Sequence, residues 1–196
     1  MQANQYLGIK KLVTSKISVH GSKFYGFLFL AQAPEDFRDA IKFYKSTYAD
    51  STHVCSACVL RPDRSYQRFN DDGEPGNSAG RPILNAILSA RITNVVCVVI
   101  RYYGGKKLGI YGLIRAYGLA AKSCINSSDI ISITKKNRII CSTEIKNQYQ
   151  LYNFMNNHKD ISYVLNNDGL FILSVPKSKH QQIIDNLLKM DILVYE

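Results

Sequence analysis

The sequence contains no apolar run long enough to cross a bilayer: the longest, Val95 to Ile100, falls far short of the ~20 residues a spanning helix needs. Met1 to Lys11 lacks the apolar core of a secretory signal. Cysteine is scarce and odd in number, five residues in 196, which argues against a disulfide framework. These absences point to a soluble, cytoplasmic protein without a membrane partner. Acidic residues are also short, 15 Asp and Glu against 25 Lys and Arg. The shortfall is local: residues 1–128 hold 17 cations and 8 anions, whereas residues 129–196 hold 8 and 7. A basic first part suits a domain that meets a polyanion, although surplus lysine can also serve solubility alone.

Complete catalytic and cofactor motifs are missing too. Gly104-x-x-x-x-Gly109 is followed by Ile110-Tyr111 and not by Lys-Ser/Thr, so it is no nucleotide P-loop, and it does not match Gly-x-Gly-x-x-Gly. Cys55-x-x-Cys58 has no second ligand pair to complete a zinc site. On a strand, residues three apart face opposite sides, so the two thiols read as buried packing. His53 and Cys55 share a strand face, which leaves a Cys–His nucleophile geometrically open. No oxyanion-hole signature accompanies them, and His53 fits better as a hydrogen-bonding residue beside a polar site. No cofactor and no DNA-specific motif is expected.

What is present is a regular alternation of elements. Strands are expected at Ile17–His20, Lys23–Leu30, His53–Leu60, Ser65–Phe69 and Asn94–Ile100. The last is a β-branched run of the kind found in strands buried on both faces. Helices are expected from Pro34, with Phe37, Ala40, Ile41, Tyr44 and Tyr48 on one face, around Ile83–Leu88, and across Leu113–Cys124. Asn126–Asp129 is the best linker candidate, so the domains are set at 1–127 and 128–196. Beyond it the order is strand 137–144, helix 146–157, strand 161–165, strand 170–175, helix 177–190 and strand 192–195. Asn166-Asn167-Asp168-Gly169 makes the middle pair a hairpin. That βαββαβ order is ferredoxin-like, and the whole chain reads as α+β.

Two polar loops stand out. The first concentrates Asp71, Asp72 and Glu74, followed by Asn77 and Ser78, ahead of a helix with Pro82 in its first turn. Carboxylates this close need nearby cations, for which Arg81, Arg101, Lys107 and Arg115 are candidates; a magnesium ion or a ligand are the other readings. Asn77 and Ser78 are expected to cap the helix, with free amides there able to bind an anion. The second loop sets Arg101, Lys106 and Lys107 among Tyr102, Tyr103, Gly104 and Gly105. Cations interleaved with aromatics suit single-stranded nucleic acid, with packing as the alternative for one of the two tyrosines.

Asp-Asp-Gly-Glu-Pro (71–75), Ala-Gly-Arg-Pro-Ile-Leu (79–84), Val-Val-Ile-Arg-Tyr-Tyr-Gly-Gly (98–105) and Gly-Leu-Ile-Arg-Ala-Tyr (112–117) together resemble the IMPACT/YigZ family. Gly-Ser-Lys-Phe (21–24) and His53-x-Cys55-x-Ala57 extend the likeness, which covers roughly residues 8–125. The chain departs from the family pattern at Asn77, Tyr111 and Lys106. The resemblance implies an amino-terminal α/β domain like domain IV of elongation factor G and a carboxy-terminal domain like its domain V. It further implies a link to translation, since eukaryotic relatives regulate it through a protein partner. The expected function is therefore a non-enzymatic regulator that binds RNA or the ribosome. A protein-interaction module is the alternative, and an enzyme acting on a phosphorylated small molecule comes third.

Overall fold

A computed structural model describes residues 4–195; Met1–Ala3 and Glu196, which the expected domain limits took in, lie outside the described residues. The chain forms two compact units, the first spanning Tyr6–Ile133 and the second beginning at Thr134 and including Asn4 and Gln5.

The chain runs β1 (Gln5–Ile9), β2 (Val13–Val19), β3 (Ser22–Leu30), α1 (Pro34–Thr47), β4 (His53–Leu60), β5 (Tyr66–Asn70), α2 (Gly80–Ser89), β6 (Val95–Tyr102), α3 (Gly109–Asn126) and β7 (Ile130–Thr134). Five strands form one sheet in the order β2-β3-β6-β4-β5, every pairing antiparallel. The first unit is thus α+β, and the expected α/β arrangement is corrected to an antiparallel sheet. Its central strands are buried on both faces because helices cover both. Val95, Cys97 and Val99 pack with Ile83, Ile87 and Tyr117 of α2 and α3. Val96, Val98 and Ile100 pack with Phe37, Ala40 and Tyr44 of α1. The period of two along a strand divides one apolar run between two cores. Cys55 and Cys58 divide in the same way, one thiol in each.

α1 begins at Pro34, whose missing N–H costs nothing in a first turn. Asp36 Oδ2 accepts the amides of Gln32 and Ala33 at 2.7 and 2.9 Å. The Ala33 and Gln32 amides hold the Asp36 carboxyl below its ordinary range. Tyr44, on the buried face, stacks with Phe29 and Tyr48.

α3 does not run into a free linker. Asn126 closes the helix, and Ile130–Thr134 pairs with Gln5–Ile9 as a separate two-stranded ribbon. Lys10 N–H donates to the Asp129 carbonyl at 3.1 Å and Thr93 N–H to that of Leu7 at 2.9 Å. Neither strand was expected, although the β-branched run at 130–134 is a strand signal.

The second unit contains β8 (Lys136–Ser142), α4 (Ile145–Asn157), β9 (Ser162–Leu165), β10 (Phe171–Pro176), α5 (His180–Leu188) and β11 (Leu193–Tyr195). Its antiparallel sheet has the order β11-β8-β10-β9. The βαββαβ sequence of elements is present as expected. At the hairpin, Asn166 Oδ1 accepts the amides of Asp168 and Leu170 at 3.0 and 2.8 Å. The helix expected from Lys177 starts with a 3₁₀ turn over Lys177–Lys179 and becomes α-helical at His180. Leu151, Met155, Leu173, Ile183 and Leu187 form the core of this unit.

Candidate functional site

The acidic loop joins β5 to α2, and its three carboxylates turn to three separate partners. Asp71 Oδ1 accepts the amides of Ala79 and Gly80 at 3.0 and 2.8 Å, while Oδ2 accepts that of Asn77 at 2.9 Å. Asp71 therefore caps α2, where its negative charge also suits the helix dipole. The capping expected of Asn77 and Ser78 is corrected: Asn77 is exposed in a left-handed turn at φ 61°, and the buried Ser78 hydroxyl has no hydrogen-bond partner among the described residues. Of the amides at the α2 start expected to be free for an anion, those of Asn77, Ala79 and Gly80 are taken by this carboxylate.

Asp72 bonds the Val54 amide at 2.6 Å through Oδ2 and pairs through Oδ1 with Lys45 of α1. Glu74 lies deeper, its side chain 3% exposed. Its Oε1 accepts Arg101 Nη1 at 2.5 Å and the Tyr117 hydroxyl at 2.8 Å. Its Oε2 faces His53 Nε2 across 3.9 Å. The other ring nitrogen of His53 lies 2.7 Å from the Asp72 carbonyl; a carbonyl can only accept, so Nδ1 carries the proton.

Arg101 is the next-to-last residue of β6, its guanidinium 5.7 Å from the ring centres of both Phe24 and Tyr103. Nη2 reaches Ser22 Oγ at 3.5 Å, and Nε finds no acceptor. The Gly104 amide donates to the same Ser22 oxygen at 3.1 Å. Gly104 lies so close to the β2–β3 turn that a Cβ there would fall 1.8 Å from the Gly21 carbonyl carbon. Gly105, at φ +83°, opens onto free space. Lys106 and Lys107 are exposed and join no ion pair among the described residues. Leu108 then occupies the amino-terminal cap position of α3 without a side-chain hydrogen bond to it.

A cavity of about 440 Å³ opens between these parts, lined by Thr52, His53, Glu74, Pro75, Arg101, Tyr103, Lys107, Leu108, Gly109, Ile110 and Leu113. Of the residues singled out in the sequence, it gathers His53, Glu74, Arg101, Tyr103 and Lys107, with Asp72 behind His53. The others lie elsewhere. Tyr102 packs edge-on to Tyr25 and donates to Asp50 at 2.8 Å, a bond that raises its hydroxyl pKa. Arg81 sits over the Phe69 ring. Arg115 lines a second groove, between α2 and α3, with His20 and Lys122. Of the cations expected to neutralise the acidic loop, Arg101 does so; Lys45 was not foreseen, and Arg81, Lys107 and Arg115 make no ion pair among the described residues. Ser22, Thr52 and Tyr117 also escaped the sequence reading, Tyr117 because it scans as one more apolar helix residue.

Burial pushes the Cys55 thiol far up, partly offset by a hydrogen bond with Tyr117, and the Sγ–H donates to the Asp71 carbonyl at 3.0 Å. His53 and Cys55 are thus each engaged by a backbone carbonyl and form no nucleophile–base pair. The Tyr117 hydroxyl is likewise pushed up, by burial first and then by Cys55 and Glu74. Among the described residues no group of three or more His, Cys, Asp or Glu is placed to hold a metal ion.

Residues 20–125 match the Impact N-terminal domain family. The Bacillus subtilis IMPACT family member YvyE is 34% identical over 128 residues, 65% of this chain and 59% of that protein. The Escherichia coli member YigZ is 36% identical over 108 residues, 54% of this chain and 53% of its own. The matched part thus spans a little over half the length of these relatives. A crystal structure of a hypothetical protein superposes with a TM-score of 0.76, covering 97% of this chain and 96% of that one at 22% identity, a likeness of fold. Among the described residues no helix is long and apolar enough to cross a membrane. The family's domain covers more than half of the chain, including both polar loops and the cavity they enclose, and the protein belongs to the IMPACT family.

Proposed function

We propose that this protein is a non-enzymatic, translation-linked regulator of the cytoplasm that binds RNA or the ribosome through its basic first unit. One observation carries the reading: among the described residues, most of that unit's cations join no ion pair. Of the 17 Lys and Arg in residues 1–128, only Arg38, Lys45 and Arg101 have a carboxylate within ion-pair distance among the described residues. The acidic loop is spent on α2, on Lys45 and on Arg101, and Lys106 and Lys107 have no carboxylate within ion-pair distance among the described residues. Lys106 and Lys107 therefore face solvent as free cations on a glycine-bearing loop. A kinship of the two units with domains IV and V of elongation factor G is part of the same proposal.

Binding to single-stranded RNA or to ribosomes should weaken steeply with salt, and Lys106→Ala/Lys107→Ala should lower the slope by about one to two ions. Filter binding and ribosome co-sedimentation measure this; no association at low salt sinks the reading. The groove between α2 and α3, about 640 Å³, favours a protein partner as the second reading. Exposed Ile114 and Leu119 lie there beside Arg115 and Lys122. A defined protein co-purifying through nuclease treatment would support it.

A further inference from the structure

We propose that the cavity between the two loops takes a single nucleotide unit, its base on Tyr103 and beside Glu74, its phosphate over the start of α3. The proposal deepens the RNA reading and rests on it for the larger ligand; the chemistry recognised is common to a splayed nucleotide in single-stranded RNA and to a free nucleoside monophosphate.

Three features of the cavity each demand a different part of such a ligand. The first is a donor. Glu74 is almost wholly buried and lines the cavity, yet only Oε1 is hydrogen-bonded. Oε2 faces His53 Nε2 at 3.9 Å, beyond hydrogen-bond reach. A carboxylate oxygen at the wall of a cavity, with no protein donor on it among the described residues, is open to an N–H, and the Watson–Crick edges of guanine, adenine and cytosine all carry one.

The second is an anion. α3 is 18 residues long, and its first amides have no side-chain cap. At α2, by contrast, Asp71 accepts the amides of the cap residue Ala79 and of Gly80. An open helix start with Lys107 beside it favours negative charge. Gly105 and Gly109 leave the backbone there clear of neighbouring atoms.

The third is a planar ring. Tyr103 is 48% exposed, and the Arg101 guanidinium lies 5.7 Å from its ring centre. Base stacking on an exposed tyrosine needs no sequence preference.

The cavity volume of about 440 Å³ falls within the range of small-molecule sites. Glu74 fixes the orientation: its charge repels a phosphate, which is left with the α3 end. An inorganic anion satisfies only the second feature, and an aliphatic acid lacks both ring and donor.

The test uses the full chain with two probes: a labelled ten-residue oligoribonucleotide of mixed sequence, followed by anisotropy, and guanosine monophosphate, followed by saturation-transfer NMR. Tyr103→Ala should weaken the oligonucleotide about tenfold, with Tyr103→Phe close to wild type, because the ring and not the hydroxyl is used. Guanosine monophosphate should compete with the oligonucleotide where inorganic phosphate at the same concentration does not. Oligonucleotide binding that ignores both Tyr103→Ala and the nucleotide overturns the pocket and leaves RNA binding standing. Nucleotide binding without any RNA or ribosome binding supports the pocket and overturns the RNA reading. Binding of neither probe overturns the pocket outright, with no need of a variant that might misfold.

Discussion

Replacing Arg101 by Met removes one half of a buried ion pair while keeping an unbranched side chain of similar length. The Glu74 and Arg101 side chains are 3% and 6% exposed and meet at 2.5 Å. After the substitution the carboxylate keeps only the Tyr117 hydroxyl, at 2.8 Å, as a hydrogen-bond donor. Stranding a buried charge in this way costs about 3–5 kcal/mol. For a unit of this size each kcal/mol corresponds to roughly 3–5 °C, so melting should fall by roughly 9–25 °C. Glu74→Gln/Arg101→Met removes both charges together, and the double variant should be more stable than the sum of its single losses by about 2 kcal/mol. Urea unfolding followed by circular dichroism reads both quantities, with the midpoint moving and the slope constant. Glu35 and Arg38, paired at 2.6 Å but 61% and 62% exposed, provide the control: Glu35→Gln should cost less than about 0.5 kcal/mol. A loss below about 1 kcal/mol for Arg101→Met, or strict additivity in the double variant, refutes the claim that this pair is buried and coupled.

Two further predictions concern backbone and thiols. Gly104→Ala drives a methyl into the Gly21 backbone at 1.8 Å and should cost several kcal/mol, about as much as an overpacked core at its worst; Gly105→Ala meets open space but a φ of +83°, and should cost only about 1 kcal/mol by the same denaturation assay. Burial pushes the Cys58 and Cys141 thiols up to about 11, so the folded chain holds their protons after the unfolded chain has lost them. Stability should therefore decline from about pH 9 to pH 11, by at most about 1.4 kcal/mol per pH unit for each thiol, and Cys58→Val should flatten the decline; urea midpoints in reductant that do not move across this window would contradict it.

Periodicity alone carried much of the architecture. His53–Leu60 has the limits its apolar run predicts, α1 starts at its proline, and the second unit keeps the predicted order of elements. These features follow from local spacing, which the chain displays in full. The site was less legible because its contacts join distant segments. Glu74 finds Arg101 and Tyr117, 27 and 43 residues away, and Asp72 finds Lys45 on the preceding helix. Proximity in sequence suggested that Asn77 and Ser78 would cap α2, whereas the nearby turn folds Asp71 over the helix start. Tyr102 and Tyr103 look equivalent in sequence. β6 ends at Tyr102, whose ring packs against Tyr25, and Tyr103 follows in the loop at the cavity.

The ribbon of β1 and β7 determines how the first unit can be cut. Ile9 is 1% exposed, and Leu7 bridges to Ile92, so the earliest residues seal the core that the later ones enclose. A fragment begun at residue 10 would bare the hydrogen-bonding edge of Ile130–Thr134, a β-branched strand with no charge to deter self-pairing. Such a fragment should clump during expression, whereas one spanning residues 4–134 keeps the edge covered.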